Sequence, residues 1–130
     1  MFLKIQFEND TPIYEQLQNQ IVQGIASGQL KEGESLPSVR QLATDLGINL
    51  HTVNKTYNLL KNEGFLVVHR RKNVIVNSYE KMHQYRSLSK LKEHLYPILA
   101  GAACRGVTRN KMTEIVHSIY NDFETDKENK

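Results

Sequence analysis

The chain has 130 residues, enough for one small domain with a core plus an accessory element, and too few for two large independent domains. A composition that is 39% hydrophobic and 24% charged excludes a largely disordered chain. The balance of 17 Lys and Arg against 14 Asp and Glu gives a net charge of +3, too mild to name a polyanionic partner by itself.

The longest apolar-rich stretch, "YPILAGAAC" at 96–104, is about half of what a membrane-spanning helix requires. The opening "MFLKIQFEND" has too little uninterrupted apolar sequence for a secretory signal, so no membrane partner is expected and the expected location is cytoplasmic. Cys104 has no second cysteine to pair with. Set among small residues in "AACRG", it is expected to be a packed, inert thiol.

In chain order, Leu3, Ile5 and Phe7 alternate with Lys4 and Gln6, which predicts a short strand. Thr11 before Pro12 has the form of a helix N-cap followed by proline at the first helical position. Ile13, Leu17, Ile21 and Ile25 then make one apolar stripe, and Gly28 ends that helix. "KEGESLP" follows as a turn.

Ser38 and Gln41 have capping-box spacing, and Val39, Leu42, Ala43 and Leu46 supply the apolar side of a short second helix that stops at Gly47. Asn49 is placed to cap a third helix, with Ile48 and Val53 in staple positions. Wound at about 3.6 residues per turn, this third helix puts Val53, Tyr57 and Leu60 on one side and His51, Asn54, Lys55, Asn58 and Asn62 on the other. Two β-rich runs, 65–68 and 74–76, flank a basic turn and predict a hairpin with a positive tip.

From Tyr79 onward the pattern is helical. Leu88, Leu91, Leu95 and Leu99 form a stripe, and Pro97 is expected to kink or split their helix. Gly106 ends it and Thr108 caps the next, which gathers Met112, Ile115, Val116, Ile119, Tyr120 and Phe123 on one narrow face before a polar, fraying tail.

The resulting expectation is a mainly α protein with a small β-hairpin: a winged helix-turn-helix over 1–78, followed by a two-helix C-terminal extension over 79–130. A helix lying in a major groove needs donors and acceptors matched to base edges, and a carboxylate on its face would meet phosphate repulsion. The third helix satisfies both conditions. Asn54 and Asn58 are suited to paired bonds with adenine, Lys55 to guanine or phosphate, and His51 and Thr52 occupy the first turn, where recognition helices meet bases. Arg70, Arg71 and Lys72 at the hairpin tip suit a minor groove or phosphates.

From Ser38 to Val76, Arg40, Lys55, Lys61, Arg70, Arg71 and Lys72 face only Asp45 and Glu63, so a local basic surface is expected. The plainer alternatives are a merely solvated helix face, a charged turn that protects strand edges, and an Arg40 paired with Asp45 or Glu63.

"LPSVRQLATDLGINLHTVNKTYNLLKNEGF" resembles the DNA-binding signature of the GntR superfamily of bacterial transcription regulators, and the likeness spans roughly residues 11–77. "PIYEQL" and "TV-x-K-x-Y-x-x-L-x-x-EGF" are most similar to the YtrA-type branch, whose C-terminal extension is short and helical. The resemblance implies that Ser38 and Arg40 meet phosphate or groove edge, and that Asn49, His51, Thr52 and Lys55 lie at recognition-helix contact positions with the hairpin as wing. It also implies that the 79–130 extension is a dimerisation element, joining two copies through the Met112–Phe123 face and the leucine stripe of Leu88, Leu91, Leu95 and Leu99. Packing of the same face on the monomer's own domain is the plainer reading, and the two are compatible. Leu50 and His51 stand where the branch usually has proline and asparagine, and "RKN" stands where its wing usually has "GKG".

The expected function is that of a homodimeric repressor on double-stranded operator DNA, read as an imperfect inverted repeat. A winged-helix protein-interaction module is the alternative. The sequence carries no HExxH, no Gly-rich phosphate loop and no nucleophile elbow, and its five histidines lack metal-ligand spacing, so no enzyme, cofactor or metal is expected.

Overall fold

A computed structural model describes residues 3–70 and 73–128, with side chains as far as Glu124. The elements run α1 (Ile13–Ser27), α2 (Val39–Leu46), α3 (Leu50–Asn62), β1 (Leu66–Val68), β2 (Val74–Val76), α4 (Tyr79–His83), α5 (Leu88–Cys104) and α6 (Arg109–Glu128). The chain divides into two compact units, Met1–Tyr85 and Arg86–Lys130.

In the first unit, apolar side chains spaced along α1 meet those of α2, α3 and the hairpin in one core. Leu17, Ile21, Val53, Leu60 and Val76 are fully buried, and Tyr57 nearly so. Burial of this kind contributes about 1.5–3 kcal/mol per large side chain and is what holds α1 against α3. Thr56, also fully buried, donates its hydroxyl to the Tyr14 carbonyl at 3.2 Å, so the contact between the two helices leaves no polar group stranded.

The helix starts follow their local signals. Ser38 Oγ accepts from Gln41 N–H at 3.1 Å, and Asn49 Oδ1 accepts from His51 N–H at 2.7 Å. The capping box of α2 is only half made, because Gln41 Nε2 donates to Asp45 Oδ1 at 2.7 Å instead of reaching back. Gly47 adopts φ +66°, the left-handed conformation that lets the chain reverse between α2 and α3. Helix α1 begins differently: Pro12 occupies the cap position and there is no side-chain cap bond, so Thr11 does not serve as the cap.

The opening segment is not a strand. Its backbone is held instead by two glutamines one turn apart on α1. Lys4 N–H donates to Gln20 Oε1 at 2.8 Å and Lys4 carbonyl accepts from Gln20 Nε2 at 2.6 Å. Gln6 repeats the pattern with Gln16, at 2.9 and 3.0 Å, and Gln16 Nε2 also reaches the Thr11 carbonyl at 2.8 Å. Amide side chains, which both donate and accept, substitute for a neighbouring strand. Gln16→Leu is therefore expected to cost about 1–3 kcal/mol by stranding several backbone groups, with hydrogen exchange at Gln6 accelerating while that in α3 keeps its protection.

β1 and β2 pair antiparallel, with Leu66 opposite Val76 and Val68 opposite Val74. The "KEGES" turn gives β2 a partner on its other edge. Gly33 N–H donates to Val76 carbonyl at 2.8 Å, Val76 N–H to Glu34 carbonyl at 2.9 Å and Leu36 N–H to Val74 carbonyl at 2.8 Å, with a bridge between Ser35 and Ile75.

The first unit extends past the expected boundary at 78. Tyr79 ties α4 to it, its N–H donating to Glu32 Oε1 at 2.9 Å and its hydroxyl to the Ile25 carbonyl at 3.2 Å. The Tyr85 ring covers Gly64, whose φ of +86° and missing Cβ both matter, since a side-chain carbon there would collide with the ring.

In the second unit, α5 continues unbroken through Pro97. The helix is exposed throughout that stretch, so water can satisfy the carbonyl that proline leaves without a donor. Thr108 Oγ1 accepts from Lys111 N–H at 3.2 Å and caps α6. Cys104 is exposed rather than packed, because the small residues around it are not drawn into a core. No helix among the described residues is long and apolar enough to cross a membrane.

Candidate nucleic-acid interface

The buried side of α3 is Val53, Thr56, Tyr57 and Leu60. That packing turns His51, Asn54, Lys55, Asn58 and Asn62 outward, and all five are exposed. Thr52 is half-buried beside them. Asn49 is exposed, but its side-chain oxygen is engaged in the cap, as is that of Ser38 at the start of α2.

Arg40 is exposed on the first turn of α2. The carboxylates expected to compete for it are turned elsewhere: Asp45 accepts from Gln41, and Glu63 accepts from Gln18 Nε2 at 3.3 and 3.4 Å. Among the described residues the ion pair found is Lys111 with Glu114, within α6. Arg40 keeps its charge free for a polyanion.

The hairpin is closed by His69 N–H donating to the Asn73 carbonyl at 2.8 Å, and Arg70 is exposed at its tip. Arg71 and Lys72 lie outside the described residues.

Lys55 has a partner that sequence spacing does not signal. Its Nζ lies 3.8 Å from the centroid of the Tyr14 ring, on the first turn of α1. Two residues this far apart in the chain meet only because α1 packs across α3.

On the C-terminal helices, the stripes found by periodicity are largely exposed. Leu88, Leu91, Leu95 and Leu99 on α5, and Ile115, Val116, Ile119 and Tyr120 on α6, are each at least 40% accessible. Met112 and Phe123 are half-buried, and the Tyr120 and Phe123 rings meet edge to face at 6.1 Å.

Helices α2 and α3 around the Gly47 turn, followed by the β1–β2 hairpin, define a winged helix-turn-helix, the architecture of a class of DNA-binding proteins. Residues 13–76 match the family model for bacterial regulatory proteins, gntR family. The chain belongs to that family: it is 32% identical to the HTH-type transcriptional repressor YtrA of Bacillus subtilis over 128 residues, 98% of each chain.

Solved structures agree. YtrA from Sulfolobus acidocaldarius, described as a GntR-family transcription factor, is 42% identical, with TM-score 0.63 over 77% of this chain and 99% of that one. A Listeria monocytogenes EGD-e protein described as a transcriptional antiterminator has TM-score 0.81 at 26% identity, over 95% of this chain and 92% of that one. The fold is therefore the expected one, a winged helix-turn-helix with C-terminal helices, and the chain is a transcription regulator with a DNA-binding domain rather than an enzyme.

Proposed function

We propose that this chain is a cytoplasmic, homodimeric repressor that binds double-stranded operator DNA as an imperfect inverted repeat. The observation that carries the reading is the outward face of α3: His51, Asn54, Lys55 and Asn58 are exposed together with no carboxylate among them, beside an Arg40 that has no acidic partner among the described residues. A merely solvated face has no need to exclude acidic residues, and a protein-interaction module has no need of the unpaired arginine.

In this reading α3 enters the major groove. Asn54 and Asn58 read adenine, Lys55 meets guanine or phosphate, and His51 and Thr52 meet the first bases. Ser38 and Arg40 lie along the backbone, Asn49 presents the start of the helix, and Arg70, Arg71 and Lys72 approach the neighbouring groove.

Dimerisation uses the exposed stripes of α5 and α6, since isolated helices with one apolar face exposed are stable only when that face is covered. The sequence resemblance to the YtrA-type branch, which implies homodimerisation, supports a second copy as the cover. Two recognition helices then meet half-sites about one helical turn apart.

The test is selection from random duplex DNA at physiological salt, with wild type and Arg40→Ala in parallel. Wild type is expected to enrich an inverted repeat that Arg40→Ala does not, and the variant should show a shallower salt dependence, by about one unit of slope. No enrichment by wild type would overturn the reading in favour of a protein-interaction module.

A further inference from the structure

The contact between Lys55 and Tyr14 is the feature that the DNA-binding reading leaves unused. An exposed lysine at the end of a four-carbon stem samples many rotamers, and fixing it against a phosphate or base forfeits that freedom. A carboxylate neighbour would restrain it but would also neutralise it and repel DNA. An aromatic face attracts the ammonium through its quadrupole and leaves the charge intact.

The geometry here is of the second kind. Lys55 Nζ lies 3.8 Å from the Tyr14 centroid, and no carboxylate pairs with Lys55 among the described residues. The backbone that carries the ring is tied to α3. Tyr14 is half-buried, and its carbonyl accepts the hydroxyl of Thr56, the fully buried neighbour of Lys55, at 3.2 Å.

We infer that Tyr14 is a positioning residue for DNA recognition: its ring holds the Lys55 ammonium, still charged, at the DNA-facing surface of α3. Operator affinity and base preference at the Lys55 position thus depend on a residue of α1, outside the helix-turn-helix. This inference rests on the DNA-binding reading above.

The experiment is a double-mutant cycle on the full-length chain, with the selected operator and a random duplex as probes. It compares wild type, Tyr14→Phe, Tyr14→Leu, Lys55→Met and the Tyr14→Leu/Lys55→Met pair. Tyr14→Phe keeps the ring and is expected to match wild type, whereas Tyr14→Leu should weaken operator binding about two- to fivefold. In the Lys55→Met background the same Leu substitution should change nothing.

Equal weakening by Tyr14→Leu with and without Lys55 would overturn the inference, as would a loss in Tyr14→Phe, which would mean that the hydroxyl touches DNA itself. Proton NMR of the free protein provides a readout that needs no DNA: ring current should shift the Lys55 ε-methylene upfield, and Tyr14→Leu should abolish that shift. The shift present in a protein that selects no operator would remove the functional reading and, with it, the role of Tyr14, while leaving the contact itself intact. A shift that is absent from wild type would overturn the inference alone.

Discussion

Tyr57→Ala is expected to lower the unfolding free energy of the N-terminal unit by about 3–5 kcal/mol, a large fraction of what a small domain possesses. Tyr57, at 1% exposure, is the largest of the side chains that are buried almost completely among the described residues, and it stands on the inward face of α3. Its hydroxyl donates to the Pro37 carbonyl at 2.8 Å, fixing the chain just before α2. Tyr57→Phe separates the two contributions. It keeps the ring and loses one hydrogen bond, for about 0.5–1.5 kcal/mol. Urea unfolding of both variants at unchanged slope checks the pair.

The same residue makes the unit sensitive to alkali. Burial pushes the Tyr57 phenol above its ordinary value of 10.0. Below that pH both folded and unfolded chains hold the proton, and the group adds no pH dependence. Above it the unfolded chain releases a proton that the folded one retains, so stability falls as pH rises. Tyr57→Phe should decline less steeply than wild type over that range. Identical slopes would mean that Tyr57 ionises as readily when folded.

Asn54→Asp is expected to weaken operator binding about a hundredfold or more, because like charges brought together at an interface cost several kcal/mol. The position is exposed, so the thermal midpoint should hardly move. Asn54→Ala is the control. It loses only a base contact, about 1–3 kcal/mol, and mainly relaxes preference at one base pair. If the two variants bound alike on operator and random DNA, Asn54 would not face the phosphates, and the placement of α3 in the groove would be wrong.

What could be read from the sequence was what is decided locally. Ser38, Asn49 and Thr108 announce helix starts because their side chains bond to backbone only two or three residues away. The two faces of α3 follow from winding alone. Features that depend on distant partners escaped. The alternation of Leu3, Ile5 and Phe7 has the period of a strand, but the partners of that backbone are Gln16 and Gln20, and a glutamine in a helix gives no sign of such a role. "KEGES" is polar and contains glycine, the composition of a turn, yet its backbone pairs with β2 some forty residues on. Tyr14 was visible only as part of "PIYEQL"; its position beneath Lys55 is a product of helix packing.

Because residues 33–36 and β1 bind opposite edges of β2, that strand is the middle of a small sheet, and the hairpin is not a free two-stranded ribbon. An isolated hairpin of three-residue strands would be marginal in water. Anchored through β2 to residues 33–36, its base is already ordered before any ligand arrives. A partner gripping the hairpin therefore meets a preorganised lever, and the entropic cost of association falls on side chains at the tip instead of on the strands.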